Sequence, residues 1–233
     1  MNMKKKKTKK KTHTLIISDL HLGSRVSRGR ETAELLKNYE FRKLILLGDI
    51  FEDLNFNQLG ESDWKLISLI GKISKTRKVR WVEGNHDMGL SKIFGFLIGA
   101  PVFKVYKWQL GKKKYAAIHG HQFDNFLSNN IFLSFLAGRI YNLVQILDFK
   151  DKKISRYIKR SSKRWLRLSD KVARRAILYA RLRRFDYIFC GHTHKAMEER
   201  RGNVVYYNSG CWTDIPSTYI TIDKESIRIH KYL

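Results

Sequence analysis

Residues 14–21 read TLIISDLH, and later stretches of the chain repeat their pattern. A run of apolar, β-favouring residues ends in Asp19 and His21, two side chains that can bind a metal ion. In an extended chain, residues i and i+2 point to the same side, so Asp19 and His21 can face one site. We therefore interpret this stretch as a buried strand that carries polar ligands at its carboxyl end.

Four later stretches have the same form, an apolar run followed by Gly, Asp, Asn or His. KLILLGD ends in Asp49, VRWVEGNHD supplies Asn85, His86 and Asp87, YAAIHGH supplies His119 and His121, and YIFCGHTH supplies His192 and His194. One such motif is weak evidence, because a lone histidine at a strand end is usually part of a core. Five in order predict a metal site at the carboxyl ends of a sheet.

The spacing of apolar residues predicts the fold class. Helical spacing over 29–40 and 61–75 separates the early strands, whereas 203–209, 217–222 and 226–231 have the signature of strands. This order predicts an α/β domain over 12–233, with two sheets packed face to face and helices outside. Residues 122–185 interrupt the pattern, and we expect there a helical insertion or lid, apolar over 123–147 and basic over 150–184.

The charge of the chain is concentrated in two segments. The 233 residues carry a formal net charge of +26, while 43% of them are hydrophobic, which excludes a wholly disordered chain. Residues 1–11 hold seven lysines and no acid, and we expect a disordered basic tail there. Residues 150–184 hold 15 Lys or Arg against two acids. Such clusters predict an anionic partner, which is nucleic acid, a phospholipid surface or a phosphorylated substrate.

Other features of the sequence concern the compartment. Cys190 and Cys211 make neither a disulfide framework nor a Cys-type zinc site, which favours a reducing compartment. The basic start is not followed by the apolar region of a signal peptide, and the apolar stretch 131–147 is shorter than the ~20 residues of a membrane span. We therefore expect a cytoplasmic protein.

The types of predicted ligand indicate which metals fit. Carboxylates, imidazoles and an amide oxygen, without thiolate, suit Mn²⁺, Fe²⁺, Co²⁺ or Zn²⁺ better than Ca²⁺ or Mg²⁺. Two such ions ~3.5–4 Å apart can clamp a phosphoryl group and activate a water for in-line attack. The motifs therefore predict a centre of two divalent ions that hydrolyses phosphoesters.

The ordered motifs D-x-H, G-D, G-N-H-D, H and G-H-x-H resemble those of the calcineurin-like metallophosphoesterase superfamily, over residues 14–208. The resemblance implies a four-layer αββα sandwich of two mixed sheets and a metal-dependent hydrolase. It also implies that one metal is held by Asp19, His21, Asp49 and His194, and a second by Asp49, Asn85, His119 and His192. Asp49 would then bridge the two ions.

Two neighbouring residues are candidates for catalysis. His86 at the rim, oriented by Asp87, could donate a hydrogen bond or a proton to the leaving oxygen. In the alternative, Asp87 caps a helix and His86 has no part in the reaction. We assign no role to His121 and interpret Glu52 and Asp53 as acids that either support the metal ligands or belong only to the loop.

Three stretches resemble the UDP-2,3-diacylglucosamine diphosphatase group of the superfamily: HGHQFD (119–124), GNHDMGLSKIFGFLIGAPVF (84–103) and the basic insertion. That resemblance implies an Mn²⁺ enzyme of lipid A biosynthesis, peripheral to the inner face of the cytoplasmic membrane, whose insertion covers the acyl chains. The substrate would be a lipid-linked nucleotide, cleaved to UMP and 2,3-diacylglucosamine 1-phosphate. Candidate substrate contacts are Arg25, Asp124 and Phe126.

Other interpretations remain open from the sequence. Where the best-known branch of that group has Arg and Asp, this chain has His86 and His121. A nuclease or general phosphodiesterase is the second hypothesis, since a strongly basic chain binds polyanions. A non-catalytic scaffold is the third. The apolar stripe of the insertion could also be ordinary core.

Overall fold

The computed structural model describes residues 9–53, 55–124, 163–224 and 226–233. Its strands are β1 (Lys10–Ile17), β2 (Tyr39–Leu47), β3 (Lys78–Val82), β4 (Val102–Phe103), β5 (Tyr106–Leu110), β6 (Lys113–Ala117), β7 (Tyr187–Cys190), β8 (Met197–Arg201), β9 (Val204–Asn208), β10 (Ser217–Ile222) and β11 (Ile227–Tyr232). Its helices are α1 (Gly29–Asn38), α2 (Glu61–Ser74), α3 (Leu90–Leu97) and α4 (Lys163–Leu182).

The strands form two mixed sheets. The first has six strands in the order β11-β10-β1-β2-β3-β4, with β1 to β4 parallel and β10 antiparallel to β1. The second has five strands in the order β5-β6-β7-β9-β8, with β6, β7 and β9 parallel. Parallel neighbours end at the same edge of a sheet, so the loops after β1, β2 and β3 lie side by side.

Three layers of apolar side chains hold the sheets and helices together. Between the sheets, Ile16 and Ile45 of the first pack with Phe189 of the second. On the outer face of the first sheet, strand residues pack against Leu36 of α1 and Leu66 of α2. On the outer face of the second, Ala176 and other residues of α4 are buried. This is the predicted four-layer αββα sandwich, and the prediction is confirmed.

The observed boundaries differ from the predicted ones where pairing decides them. Helix α1 ends at Asn38 rather than at residue 40, because Tyr39 begins β2 and is buried. Strand β1 begins at Lys10, inside the segment predicted as a disordered tail. Lys10 and Lys11 pair with the first two residues of β2, and the Lys11 ammonium lies 3.9 Å from the Glu40 carboxylate. Residues 1–8 lie outside the described residues.

The predicted insertion is described only at its two ends. Residues 125–162, which include Phe126 and most of the predicted apolar helix, lie outside the described residues. Helix α4 forms the end of the predicted basic segment, and its apolar face is core, since Ala173, Ala176 and Ala180 are fully buried against the second sheet. Among the described helices, none is both long and apolar enough to cross a membrane.

Candidate metal centre

Turns at the strand ends bring the predicted ligands together from both sheets. Asp19 and Asp49 follow β1 and β2, whereas His119 and His192 follow β6 and β7 of the second sheet. The backbone joins the turns as well, since Asp19 N–H donates to the Gly48 carbonyl over 3.0 Å and His21 N–H to the Asp49 carbonyl over 3.1 Å. The site therefore lies where the carboxyl ends of both sheets meet.

The first cluster consists of Asp19, His21 and His194, whose donor atoms all lie within 4.8 Å of one another. The Nε2 atoms of His21 and His194 are 3.3 Å apart, and His194 Nε2 lies 3.2 Å from Asp19 Oδ1. Asp19 is fully buried. Three donors that converge in this way fit one divalent ion.

The second cluster consists of Asp49, His119 and His192, again within 4.8 Å. His119 Nε2 lies 3.1 Å from Asp49 Oδ2. Asn85 stands between two residues that both contact Asp49: a Cβ on Gly84 would collide with the Asp49 carboxylate, and His86 N–H donates to Asp49 Oδ1 over 2.9 Å. The structure thus places Asn85 next to the second cluster.

One oxygen atom beside the second cluster has no hydrogen-bond partner among the described residues. It is the buried Oδ1 of Asn85. A buried polar atom without a partner costs about 1–3 kcal/mol, and such an atom in a native site calls for an ion or a water. Oxygen and nitrogen donors of this kind fit a borderline divalent cation, so the residues present suit the predicted metals.

Hydrogen bonds from the outer ring nitrogens orient the imidazoles. His119 Nδ1 lies 2.9 Å from the Leu47 carbonyl oxygen, which makes Nδ1 the donor and leaves Nε2 for a ligand. His21 Nδ1 lies 2.8 Å from Glu52 Oε2. Of the two roles that the sequence leaves open for Glu52, the structure shows the supporting one: its carboxylate contacts His21, an arrangement that raises ligand basicity in metal sites.

The electrostatic field of the site favours positive charge. Burial lowers the pKa of His119, but Asp49 and Asp19 outweigh it and raise that pKa to about 10. Burial likewise opposes the charge on Asp49, yet His119 beside it holds the pKa of Asp49 well below its usual range. A metal ion that binds here must displace the His119 proton, because imidazole must be neutral to coordinate, and the same carboxylates would then stabilise the charge of the metal.

Backbone strain is concentrated on the predicted ligands. Asp19, His21, Asp49, His192 and His194 all have φ between 46° and 64°, in the left-handed region. Arg184 is the one other non-glycine residue with positive φ in the described part of the chain. Each such residue costs of order 1–3 kcal/mol and persists where the surroundings enforce it, typically at a functional site.

His86 and Asp87 differ from their predicted arrangement. His86 Nδ1 lies 2.6 Å from the Glu52 carbonyl oxygen, so Glu52 and not Asp87 orients the ring. The buried carboxylate of Asp87 accepts four N–H donors, from Ile50, Phe51, Gly84 and the Trp81 indole. Asp87 also provides no side-chain cap for α3, since its backbone carbonyl accepts the Ser91 N–H. The Asp87 carboxylate therefore connects the turn that contains Asp49 to the turn that contains Asn85.

The predicted substrate contacts divide into two kinds. Asp124 is buried, and its Oδ2 lies 3.3 Å from His192 Nε2, so it lies against the metal cluster. Arg25 is exposed on the turn that follows His21. Phe126 lies outside the described residues.

His121 lies near the second cluster. Its ring centroid is 5.6 Å from that of His119 and 6.3 Å from that of His192. Burial, with the charges of His119 and His192, lowers the pKa of His121 to about 4. The ring is therefore neutral at physiological pH.

Comparisons with known proteins agree with this architecture. The chain is similar in structure to Yfce, a phosphoesterase from E. coli, with 16% identity and a TM-score of 0.51 over 92% of this chain and 90% of that one. It is also similar to a single mutant of Vps29 from Entamoeba histolytica, with 15% identity and a TM-score of 0.50 over 94% and 90%. At such identity the likeness shows the fold alone. No curated protein matches the sequence significantly.

The family of the chain follows from a sequence model. The Calcineurin-like phosphoesterase superfamily domain matches residues 13–226, which contain every predicted ligand. The two donor clusters in that range are compatible with divalent metal ions, as a metal-dependent hydrolase requires. The chain therefore belongs to the calcineurin-like phosphoesterase superfamily.

Proposed function

We propose that the chain hydrolyses the pyrophosphate bond of UDP-2,3-diacylglucosamine, giving UMP and 2,3-diacylglucosamine 1-phosphate in lipid A biosynthesis. Membership of the phosphoesterase superfamily supports the reaction class. The finer proposal rests on the resemblance of residues 84–103 and 119–124 to the diphosphatase group. It also rests on one structural observation, the exposed apolar helix α3, which comes shortly after the candidate catalytic loop of residues 84–87.

We assign the ligands as the motifs predict, with Asp19, His21, Asp49 and His194 on one ion and Asp49, Asn85, His119 and His192 on the other. The position of Asp49 supports a bridging role, because it contacts His119 and its charge also raises the pKa of His21. When bound, the two ions would neutralise phosphoryl oxygens and acidify the attacking water. We propose Mn²⁺, with Fe²⁺, Co²⁺ and Zn²⁺ as alternatives of the same donor preference.

We assign His86 as the group that donates to the leaving oxygen. The Glu52 carbonyl accepts from its Nδ1, an arrangement that fixes the ring. The His86 backbone N–H also donates to Asp49 Oδ1, which fixes the position of His86 relative to this predicted ligand. Asp87 is a positioning residue here, since its carboxylate contacts backbone and indole N–H groups rather than the rim.

The exposed face of α3 supports a lipid substrate. Phe96 is 87% exposed, Leu97 69% and Ile93 59%, and Met88 just before the helix is 61% exposed. Exposed apolar side chains that cluster in this way mark a binding surface for a protein, a ligand or a membrane. A diacylated substrate would place its acyl chains against such a surface while its pyrophosphate reaches the metal centre.

The outer face of α4 supports association with the inner face of the cytoplasmic membrane. Arg167, Lys171 and Arg174 are exposed there, and Leu178 and Leu182 are exposed on the same helix, at 54% and 74%. Cations interleaved with apolar side chains are typical of helices that lie on anionic lipid. We propose Arg25, Asp124 and Phe126 as substrate contacts on the resemblance alone.

The test is release of UMP from UDP-2,3-diacylglucosamine by the Mn²⁺-loaded protein. An aryl phosphodiester and single-stranded DNA are assayed beside it, with Asp49→Ala as the inactive control. We expect hydrolysis of the lipid nucleotide to exceed that of both other substrates in kcat/KM. Cleavage of DNA without action on the lipid nucleotide would reject this proposal in favour of a nuclease.

A further inference from the structure

A basic pocket lies at the opposite end of the sandwich from the metal centre. It opens where β2 and β3 begin, whereas the predicted ligands follow the ends of β1 and β2. Its volume is about 690 Å³, and its walls include His13, Arg42, Lys43, Lys75, Arg77 and Lys78. Lys43 and Asp49 are six positions apart along β2 and its turn, which is about 20 Å at ~3.3 Å per residue.

Lys43 is the buried cation of this pocket. It is 8% exposed, and its ammonium lies 5.1 Å from the Trp108 ring centroid and 5.4 Å from that of Tyr106. The ring faces attract the charge, but they replace only part of the hydration that burial removes. Burial and the charges of Arg80 and Lys78 lower the pKa of Lys43 to about 8. An anion next to this ammonium would be stabilised.

The other cations of the pocket also lack acidic partners. In the described ranges, neither Arg42, Lys75, Arg77 nor Lys78 forms an ion pair. Arg77 instead lies over the Phe41 ring, with 4.7 Å from its guanidinium carbon to the centroid.

Among the described residues, one acid lies nearby, and its role is local. Asp223 accepts the backbone N–H of His13 over 2.9 Å, and its charge acts on His13 rather than on Lys43. Within the described part of the chain, the lining therefore has several positive charges that are not paired with a carboxylate. Clustered cations in a concave site focus a potential that attracts anions.

We propose that this pocket binds the phosphate groups of a small oligophosphate anion. Guanidinium and ammonium groups are the side chains that recognise phosphate, and the volume lies within the range of small-molecule sites. The burial of Lys43 favours a small anion over a polymer, because a phosphate group can enter a concavity that the backbone of a duplex only spans. The site is separate from the metal centre and does not depend on the lipid substrate.

The test is isothermal titration calorimetry of the metal-loaded protein with pyrophosphate and tripolyphosphate. Phosphates also bind dinuclear metal centres, so we expect two binding events in the unmodified chain. Lys43→Met and Arg77→Gln should each weaken one of them at least tenfold and leave the other unchanged. The matched control is Lys107→Met, because Lys107 is exposed and precedes Trp108 in β5, so it points to the other face of that strand.

Three results would overturn the inference. The first is that the unmodified chain shows a single binding event, and the second is that both pocket variants show two unchanged events. The third is that these residues bind duplex DNA or anionic vesicles but neither oligophosphate. A crystal soaked in tungstate locates the anion independently. We expect anomalous density beside Lys43, and density confined to the metal centre contradicts the proposal.

Discussion

At the scale of single residues, the candidate site holds its donors in geometries that are unfavourable without a ligand. Five predicted ligands have left-handed backbone, and Asn85 Oδ1 is buried without a partner among the described residues. Such costs are of order 1–3 kcal/mol each and are maintained by the surrounding fold. The site is therefore prepared for cations, and single substitutions within it should affect metal and activity together.

Asp49→Ala should abolish turnover, because one carboxylate lies beside both clusters. We expect kcat to fall by ~10³-fold or more, which corresponds to about 4 kcal/mol of lost transition-state stabilisation. The bound metal, measured by elemental analysis, should fall below two ions per chain. Asp53→Asn is the control, since Asp53 is exposed and, among the described residues, accepts the nearby Asn55 N–H alone. Near-normal activity of Asp49→Ala would refute the bridging role.

Glu52→Gln tests a residue that the motifs did not identify. Its carboxylate lies 2.8 Å from His21 Nδ1, so the amide should weaken the orientation and basicity of that ligand. We expect the affinity for Mn²⁺ to fall about 10–100-fold, the range typical of such supporting residues. Excess Mn²⁺ should restore most of kcat, which distinguishes positioning from a direct catalytic role. An unchanged metal affinity contradicts the assignment.

At the scale of elements, helix α3 places an apolar surface next to the candidate catalytic loop. The N–H groups of Ile50, Phe51 and Gly84 all donate to Asp87, which joins that loop to the turn after β2. Gly95 permits the helix to lie against the chain that follows, since a Cβ there would collide with Val102. Helix and loop therefore form one unit, with its inner side in the core and its outer side exposed.

Phe96→Ser with Leu97→Ser should separate lipid binding from catalysis. Both side chains are mostly exposed, so we expect the free energy of unfolding to change by less than about 0.5 kcal/mol per site. Association with anionic vesicles, measured by co-sedimentation, should weaken at least about tenfold, which is a loss of ~1.4 kcal/mol. Hydrolysis of a soluble aryl phosphodiester serves as the control and should stay within about twofold. Unaltered vesicle binding would show that α3 does not contact lipid.

At the scale of the whole molecule, the two ends of the parallel strands differ in charge and in role. The carboxyl ends carry buried aspartates and histidines that attract cations, whereas the opposite end carries the unneutralised cations around Lys43. Parallel strands all start at one end of the sheet and finish at the other, so a single sheet topology determines where both the metal centre and the basic pocket lie. A change at one end should leave the chemistry at the other intact.

The stability of the protein should depend on pH through Lys43. Its pKa is lowered to about 8 in the fold, against 10.5 for an ordinary lysine, so between these values the unfolded chain binds more protons. Stability therefore rises with pH across that window, and below pH 8 the charged lysine is a constant penalty.

Lys43→Met removes that penalty. We expect the variant to be more stable than the unmodified chain at pH 7, by about 1–2 kcal/mol after allowance for water in the pocket, and to lose the advantage near pH 10. Urea unfolding across pH 6–10 measures this difference in stability. The control is Lys107→Met, for which we expect a difference that does not change with pH. A less stable variant at pH 7 means that the ammonium is favourably placed.

The sequence by itself determined the strand ends, the candidate ligands and the superfamily, because these depend on local order. An apolar run that ends in Asp19 or His192 indicates both a strand and a ligand, and period alone separates α1 and α2 from the strands. Helix α3 was not predicted, because its eight residues are fewer than the roughly 11–18 over which a helical period can be recognised.

Tertiary structure alone decided the contacts between segments distant in the chain. In the folded chain, the Glu52 carboxylate contacts His21, and the Asp87 carboxylate accepts backbone N–H groups rather than contacting His86. Basic residues from β2, β3 and the end of α2 lie close together around Lys43. No local pattern contains these results, because each depends on which face of one element meets another once both sheets have closed over the core. Sequence order names the ligands, while packing selects the residues that hold them in place.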